Sequence, residues 1–235
     1  MRTYNGRRVM NARAGLFPSE GVQVSLNYMS QLYTVVGSST PAVPSKISGA
    51  STFTMRSSGG AGYILYGGGN SGGECVVCKI NVAASDTVTI RVGDGSTGVF
   101  GSTRQSRISV NAKNAIAAAG VSATDDTGAI GGTGGPVDPV FTVLARNPGG
   151  PGGDALGAKA GGGGGGGGAA TSQPGGAGGD ASAIADGTAG AGGDATAGAG
   201  GAGGLVGNTP GGGCGGLRTD RGGHGTVLWE WYETS

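Results

Sequence analysis

The chain is poor in most of the residues that build ordinary cores and reactive sites. Aromatic residues make up 5% and charged residues 12% of its 235 positions, and His224 is the sole histidine. Charge at about half the usual share excludes a charge-driven disordered protein. The net charge is +1. The clustered Lys and Arg that release counterions from nucleic acid are therefore missing, which excludes a general nucleic-acid binder. The same balance excludes a polybasic membrane-surface protein. No apolar run approaches the ~18 residues that span a bilayer, so no membrane insertion is expected. Residues 1–8 (MRTYNGRR) carry charge with no apolar region behind it, so no secretory signal is expected. Three cysteines are too few for a disulfide scaffold of this length.

Glycine is what the chain has: 58 residues, with 9 prolines. A Pro and Gly share above ~25% normally marks a low-complexity or disordered chain. The distribution argues against that. Residues 1–45 hold 4 glycines, residues 46–148 hold 19, and residues 149–235 hold 35. No aromatic residue lies between Thr142 and Leu228, and the large apolar side chains there (Leu156, Ile184, Leu205, Leu217) are isolated. Order in this region has to come from backbone packing.

The middle of the chain reads as strands. Residues 51–56 (STFTMR) alternate and are rich in β-branched and aromatic residues. Residues 63–66 (YILY) form a short apolar run. Period-2 alternation puts Val76, Cys78, Ile80 and Val82 on one face, and Val88, Ile90 and Val92 on another. Residues 83–85 are the expected hairpin connection. Residues 107–110 form a weaker strand. Residues 226–231 (TVLWEW) place Val227, Trp229 and Trp231 on one face. A closing strand this apolar needs a partner, and the simplest is the sheet of residues 51–92. The glycine-rich region then leaves a sheet and returns to it.

That region repeats. G-G-D-A occurs at 152–155, 178–181 and 192–195, among recurring Gly-Gly-X triplets. Period 3 is the pitch of polyproline II geometry, which polyglycine also adopts, rising ~3.1 Å per residue without internal hydrogen bonds. Ordering each glycine costs about 1–2 kcal/mol or more. A net hydrogen bond returns about 0.5–1.5 kcal/mol. Isolated triplets therefore stay disordered, whereas a bundle bonded to several neighbours holds. Collagen is excluded by the broken period and sparse proline.

Several pieces in order resemble a known family. Residues 51–56 followed by 59–62 (GGAG), the paired strands 74–82 and 86–95 ending in V-G-D-G, the G-G-D-A copies, and 222–231 (GGHGTVLWEW) are similar to the glycine-rich domains of bacteriophage tail-fibre proteins. The long glycine runs are similar to fibre-tip adhesins of T-even-type phages. There, a sandwich of polyglycine II helices displays loops that bind outer-membrane proteins. The match covers about residues 50–232. It implies a virion protein of the phage tail, its partners being other virion proteins and a bacterial surface receptor, either outer-membrane protein or glycan. Homo-oligomerisation is left open. By analogy, residues 1–45 dock onto the fibre.

Sites of other chemistry are weak. Cys75 and Cys78 form C-x-x-C, with Cys214 and His224 as conceivable further zinc ligands. Residues three apart on a strand point to opposite faces, so the cysteines read as buried small apolar residues. Ser71 sits in G-x-S-x-G, but a strand follows where the nucleophile elbow needs a helix. The four lysines follow Ser, Cys, Ala and Ala, so no Walker motif exists. No enzyme, cofactor or metal is expected. Asp125, Asp126 and Asp138 read as turn residues rather than calcium ligands. Asp154, Asp180 and Asp194 cap Gly-rich turns or face water.

The sequence therefore predicts a mainly β protein with little helix: a small antiparallel β unit plus a glycine-rich polyglycine II bundle or sandwich. Residues 1–45 form an attachment segment. Residues 46–120, closed by 226–232, form the β unit, and 121–225 the glycine-rich module. Arg2, Arg7, Arg8 and Arg13 are the docking candidates, against a solvated terminus. Residues 22–29 and 31–36 are apolar enough for an interface or for packing on the chain's own sheet. Receptor contacts fall on loops 169–174, 182–188, 205–210 and 217–221, with Asp186, Asn208, Thr209, Leu217, Arg218 and Arg221 foremost. Two other readings stay open: a purely structural virion part of tail tip, baseplate or capsid surface, and an ice-binding polyglycine II protein.

Overall fold

The computed structural model describes residues 25–61, 68–96, 104–155, 163, 166–182, 187–188, 190, 192–193, 197–201, 205–216 and 221–235. The arm arginines Arg2, Arg7, Arg8 and Arg13, the run 63–66, and the candidates Asp186, Leu217 and Arg218 lie outside the described residues. So does Asp194.

The described strands are β1 (Leu26–Tyr33), β2 (Gly37–Ser39), β3 (Ile47–Arg56), β4 (Cys75–Asn81), β5 (Val88–Val92), β6 (Ser106–Val110), β7 (Lys113–Ala117), β8 (Thr142–Asn147) and β9 (Thr226–Thr234). They build a five-stranded sheet ordered β1-β9-β3-β4-β8 and a four-stranded sheet ordered β2-β5-β6-β7. Every pairing is antiparallel. No α-helix forms among the described residues. The protein is mainly β, as its alternating segments predict.

Alternation decides which side chains turn inward. Val76, Cys78, Val88, Ile90, Val92, Val227, Trp229 and Trp231 are all buried, on the faces the sequence assigned them. With Met29, Phe53, Met55, Ile108 and Phe141 they form one core shared by both sheets. The Phe53 and Trp229 rings stack with centroids 5.5 Å apart, and Trp231 lies 4.8 Å from Trp229. β9 pairs with β3, its expected partner, and on its other side with β1. Ile108→Val removes one methylene from a fully buried site. Urea denaturation is expected to show a loss of about 1 kcal/mol.

Three expectations about the sheets are changed or completed. Residues 83–85 are not a hairpin: β4 and β5 belong to different sheets, so this segment crosses between them. Asp86 makes the corner, its N–H donating to the Ala83 carbonyl and its carboxylate accepting the Ala83 N–H. Residues 26–33, left open between an interface and packing on the chain's own sheet, form edge strand β1, and 37–39 form edge strand β2. β7 and β8 have no counterpart in the sequence reading. β7 (KNAIA) has low strand propensity everywhere but Ile116 and is held by pairing with β6, Ala115 standing opposite Ile108. β8 falls inside the stretch assigned to the glycine-rich module, yet it pairs with β4 at the sheet edge.

Outside the sheets, the glycine-rich segments bond to one another mainly through backbone. The amides of Gly149, Gly152 and Ala155 donate to the carbonyls of Gly132, Ala129 and Asp126. Those of Gly175, Gly178 and Ala181 donate to Pro148, Pro151 and Asp154. Gly213 and Gly216 donate to Gly166 and Gly163. Each run advances by three residues on both partners, against two in a β ladder. Neighbouring amides serve different partners: Gly149 bonds to Gly132, and Gly150 to Gly167. The network also takes in residues 68–73, between β3 and β4. Gly69 and Gly72 donate to Gly153 and Gly150.

The G-G-D-A aspartates staple this network. Asp154 Oδ1 accepts the Gly128 N–H at 2.7 Å, and Asp180 Oδ1 accepts the Asp154 N–H at 2.8 Å. Asp125 and Asp138 act as turn residues, taking the Thr127 and Asn114 amides.

Two buried polar side chains gather backbone from several segments, Glu74 beside the sheet and Asn70 within the network. Glu74, fully buried at the start of β4, has four donors. Its Oε2 accepts Ala118 N–H (2.7 Å) and Gly135 N–H (3.1 Å), and its Oε1 accepts Gly134 N–H (3.1 Å) and faces Arg146 Nε at 3.4 Å. Asn70 accepts the Ala123 N–H at Oδ1 and donates from Nδ2 to the Cys214 carbonyl.

Candidate functional site

Loops stand on this frame where side chains interrupt glycine. Residues 205–210 carry exposed Leu205, Val206, Asn208 and Thr209. The loop is anchored from beneath by backbone. Asn208 N–H donates to Ala199, Gly207 N–H to Arg221, and Gly215 N–H to Leu205. Gly212 N–H closes the turn on the Asn208 carbonyl at 2.9 Å. Gly223 also packs against it: a Cβ there would lie 2.0 Å from the Asn208 carbonyl oxygen. The fold thus brings Asn208, Thr209 and exposed Arg221 together, three of the six residues the sequence singled out. Residues 171–174 form a separate exposed tip, held to the end of β8 by Asn147, whose Nδ2 donates to the Ala170 and Thr171 carbonyls.

Sequence reasoning missed Asp94 and His224 as members of the 205–221 cluster. Asp94 follows β5 and His224 precedes β9. The glycines around them allow close contact: a Cβ on Gly95 would lie 2.1 Å from the Gly222 carbonyl oxygen. His224 Nδ1 lies 3.3 Å from Asp94 Oδ1 and accepts the Gly95 N–H at 3.0 Å. Burial pushes the Asp94 carboxyl up. The Ser96 amide and hydroxyl, with the His224 and Arg221 charges, outweigh it and hold Asp94 below the ordinary carboxylate range. The signals in the sequence are V-G-D-G, ending the strand pair 74–95, and G-G-H-G, preceding the closing strand. Nothing in their spacing shows that they meet.

The other motifs resolve into structure. Ser71 is fully buried, and its hydroxyl both donates to the Val121 carbonyl and accepts the Val121 N–H. Cys75, Cys78 and Cys214 are all buried. Burial alone pushes the Cys78 thiol up to about 12, which keeps it a neutral apolar group.

No family model matches the chain, and no curated protein matches it.

Proposed function

We propose that the chain is a bacteriophage virion component of the tail, acting at a fibre tip as a receptor-binding adhesin. In this reading the glycine-rich segments are polyglycine II helices bundled against the β unit. The observation that carries it is the three-residue hydrogen-bond period between segments, joined to loops with exposed side chains. Helices with three residues per turn and no internal hydrogen bonds direct successive amides to different neighbours. Such a frame has almost no side-chain content of its own, so its interrupting loops carry the chemistry and tolerate variation. The receptor is a bacterial surface protein or glycan, met by Asn208, Thr209, Arg221 and the exposed aliphatics Leu205 and Val206. Residues 1–45 attach the chain to other virion proteins.

The test is binding of the labelled full-length protein to a panel of bacterial strains. Saturable binding to a subset of strains is expected. Asn208→Ala with Arg221→Ala should weaken it by about tenfold or more, since arginine is frequent among residues that dominate interfaces. Unchanged binding and unchanged phage adsorption with both substitutions would point to a purely structural virion part.

A further inference from the structure

We propose that His224 is a proton-sensitive switch coupling the turn after β5 to the segment that holds the 205–211 loop. The geometry turns on one atom. His224 Nδ1 accepts the Gly95 N–H at 3.0 Å and lies 3.3 Å from Asp94 Oδ1. The first contact needs the lone pair of the neutral ring, and the second is an ion pair only when Nδ1 carries a proton. One nitrogen cannot do both. Histidine is the side chain that changes charge between pH 5 and 8. Asp94, held below the ordinary carboxylate range, stays anionic throughout.

Among the described residues, two cations act on this pair. Arg221 acts on Asp94 from the same segment as His224, and buried Arg104 acts on it from beside β6. Asp94 is the one anion in contact with the ring among the described residues. Protonation therefore moves His224 Nδ1 from the Gly95 amide to Asp94, and the Gly95 N–H loses its acceptor. The effect reaches further through backbone. The His224 carbonyl accepts the Gly211 N–H at 3.0 Å, the Arg221 carbonyl accepts the Gly207 N–H at 3.0 Å, and Gly223 N–H donates to Gly212 at 2.7 Å. These three bonds tie the His224 segment to residues 207–212, so losing the Gly95–His224 bond removes a contact between the turn after β5 and the base of that loop. The switch stands on these contacts whether or not the loop binds a receptor.

The test is ¹⁵N NMR of the full chain from pH 8 to pH 5. The expected result is that His224 Nδ1 changes from acceptor to protonated nitrogen, and that the Gly95 amide proton moves upfield in the same titration. His224→Asn keeps an acceptor near the Nδ1 position but does not titrate, so its Gly95 resonance should stay in place over the range. Asp94→Asn removes the carboxylate but keeps the ring, so its Gly95 resonance should still move over the range. A wild-type Gly95 resonance that ignores the His224 titration overturns the proposal, as does one that moves equally in His224→Asn. Should either variant fail to fold, the wild-type titration decides alone.

Discussion

Gly149→Ala is expected to dismantle the glycine-rich network while leaving the sheets paired. An ideal Cβ at Gly149 would sit 1.9 Å from the Gly72 carbonyl oxygen and 2.2 Å from its carbon. The obstacle is backbone, which cannot swing aside as a side chain can. Gly72 in turn lies against Gly167, where its own Cβ would be 1.8 Å from the oxygen, and Gly131 lies against Gly149 at 1.8 Å. The segments thus stack in a row, and spreading one pair displaces the next. The hydrogen bonds Gly149 to Gly132, Gly72 to Gly150 and Gly132 to Gly72 run through the same residues. Overpacking a core usually costs about 1–3 kcal/mol, because side chains share the strain. Here the clash meets the Gly72–Gly73 backbone, so the upper end, about 3 kcal/mol, is the minimum expected. Hydrogen exchange resolved by residue checks it. Amides of 149–155 and 166–181 should lose protection in Gly149→Ala, while those of β3 and β9 keep it. Exposed Gln173→Ala, on the 171–174 tip, is the control and should leave the protection of both segments in place.

Glu74→Ala is expected to destabilise the whole protein by about 3 kcal/mol or more, since each buried donor left without an acceptor costs about 1–3 kcal/mol. The carboxylate is fully buried and answers four donors, so truncation removes the acceptor of the Ala118, Gly134 and Gly135 N–H groups, while Arg146 keeps its bond to the Gly135 carbonyl. Glu74→Gln should do little better. Each carboxylate oxygen accepts from two donors, so whichever end the amide nitrogen occupies would face N–H groups. Arg146 is one-third exposed, and its loss should cost less than either change at Glu74. Guanidinium denaturation of the three variants gives the order. A Glu74→Gln protein as stable as the wild type would show that the charge is dispensable.

Much of the β architecture was legible because its signal is local. Period-2 alternation in 75–82, 88–92 and 226–231 names the buried residues without knowledge of their partners. The return of Trp229 and Trp231 to β3 followed from the same logic, since an apolar face has to be covered. β7 and β8 stayed hidden for the opposite reason. Their own residues are ambivalent, and only pairing with β6 and β4 makes them strands. The split of β4 and β5 between sheets was equally illegible, because a three-residue connection serves a hairpin or a crossover alike.

The candidate surface divides in the same way. Asn208, Thr209 and Arg221 stood out because they interrupt glycine. Asp94 and His224, 130 positions apart in the chain, became neighbours only through the close approach of Gly95 to Gly222. The sequence by itself determined that the chain is mainly β, which residues fill its core, and that its glycine repeats in threes. Tertiary structure decided which carbonyl each glycine amide meets, where Glu74 gathers its donors, and that one histidine nitrogen stands between an amide and a carboxylate. The physical reason is that glycine has no side chain to mark a partner. Its contacts are backbone to backbone, identical in chemistry at every position, and only the folded path distinguishes them.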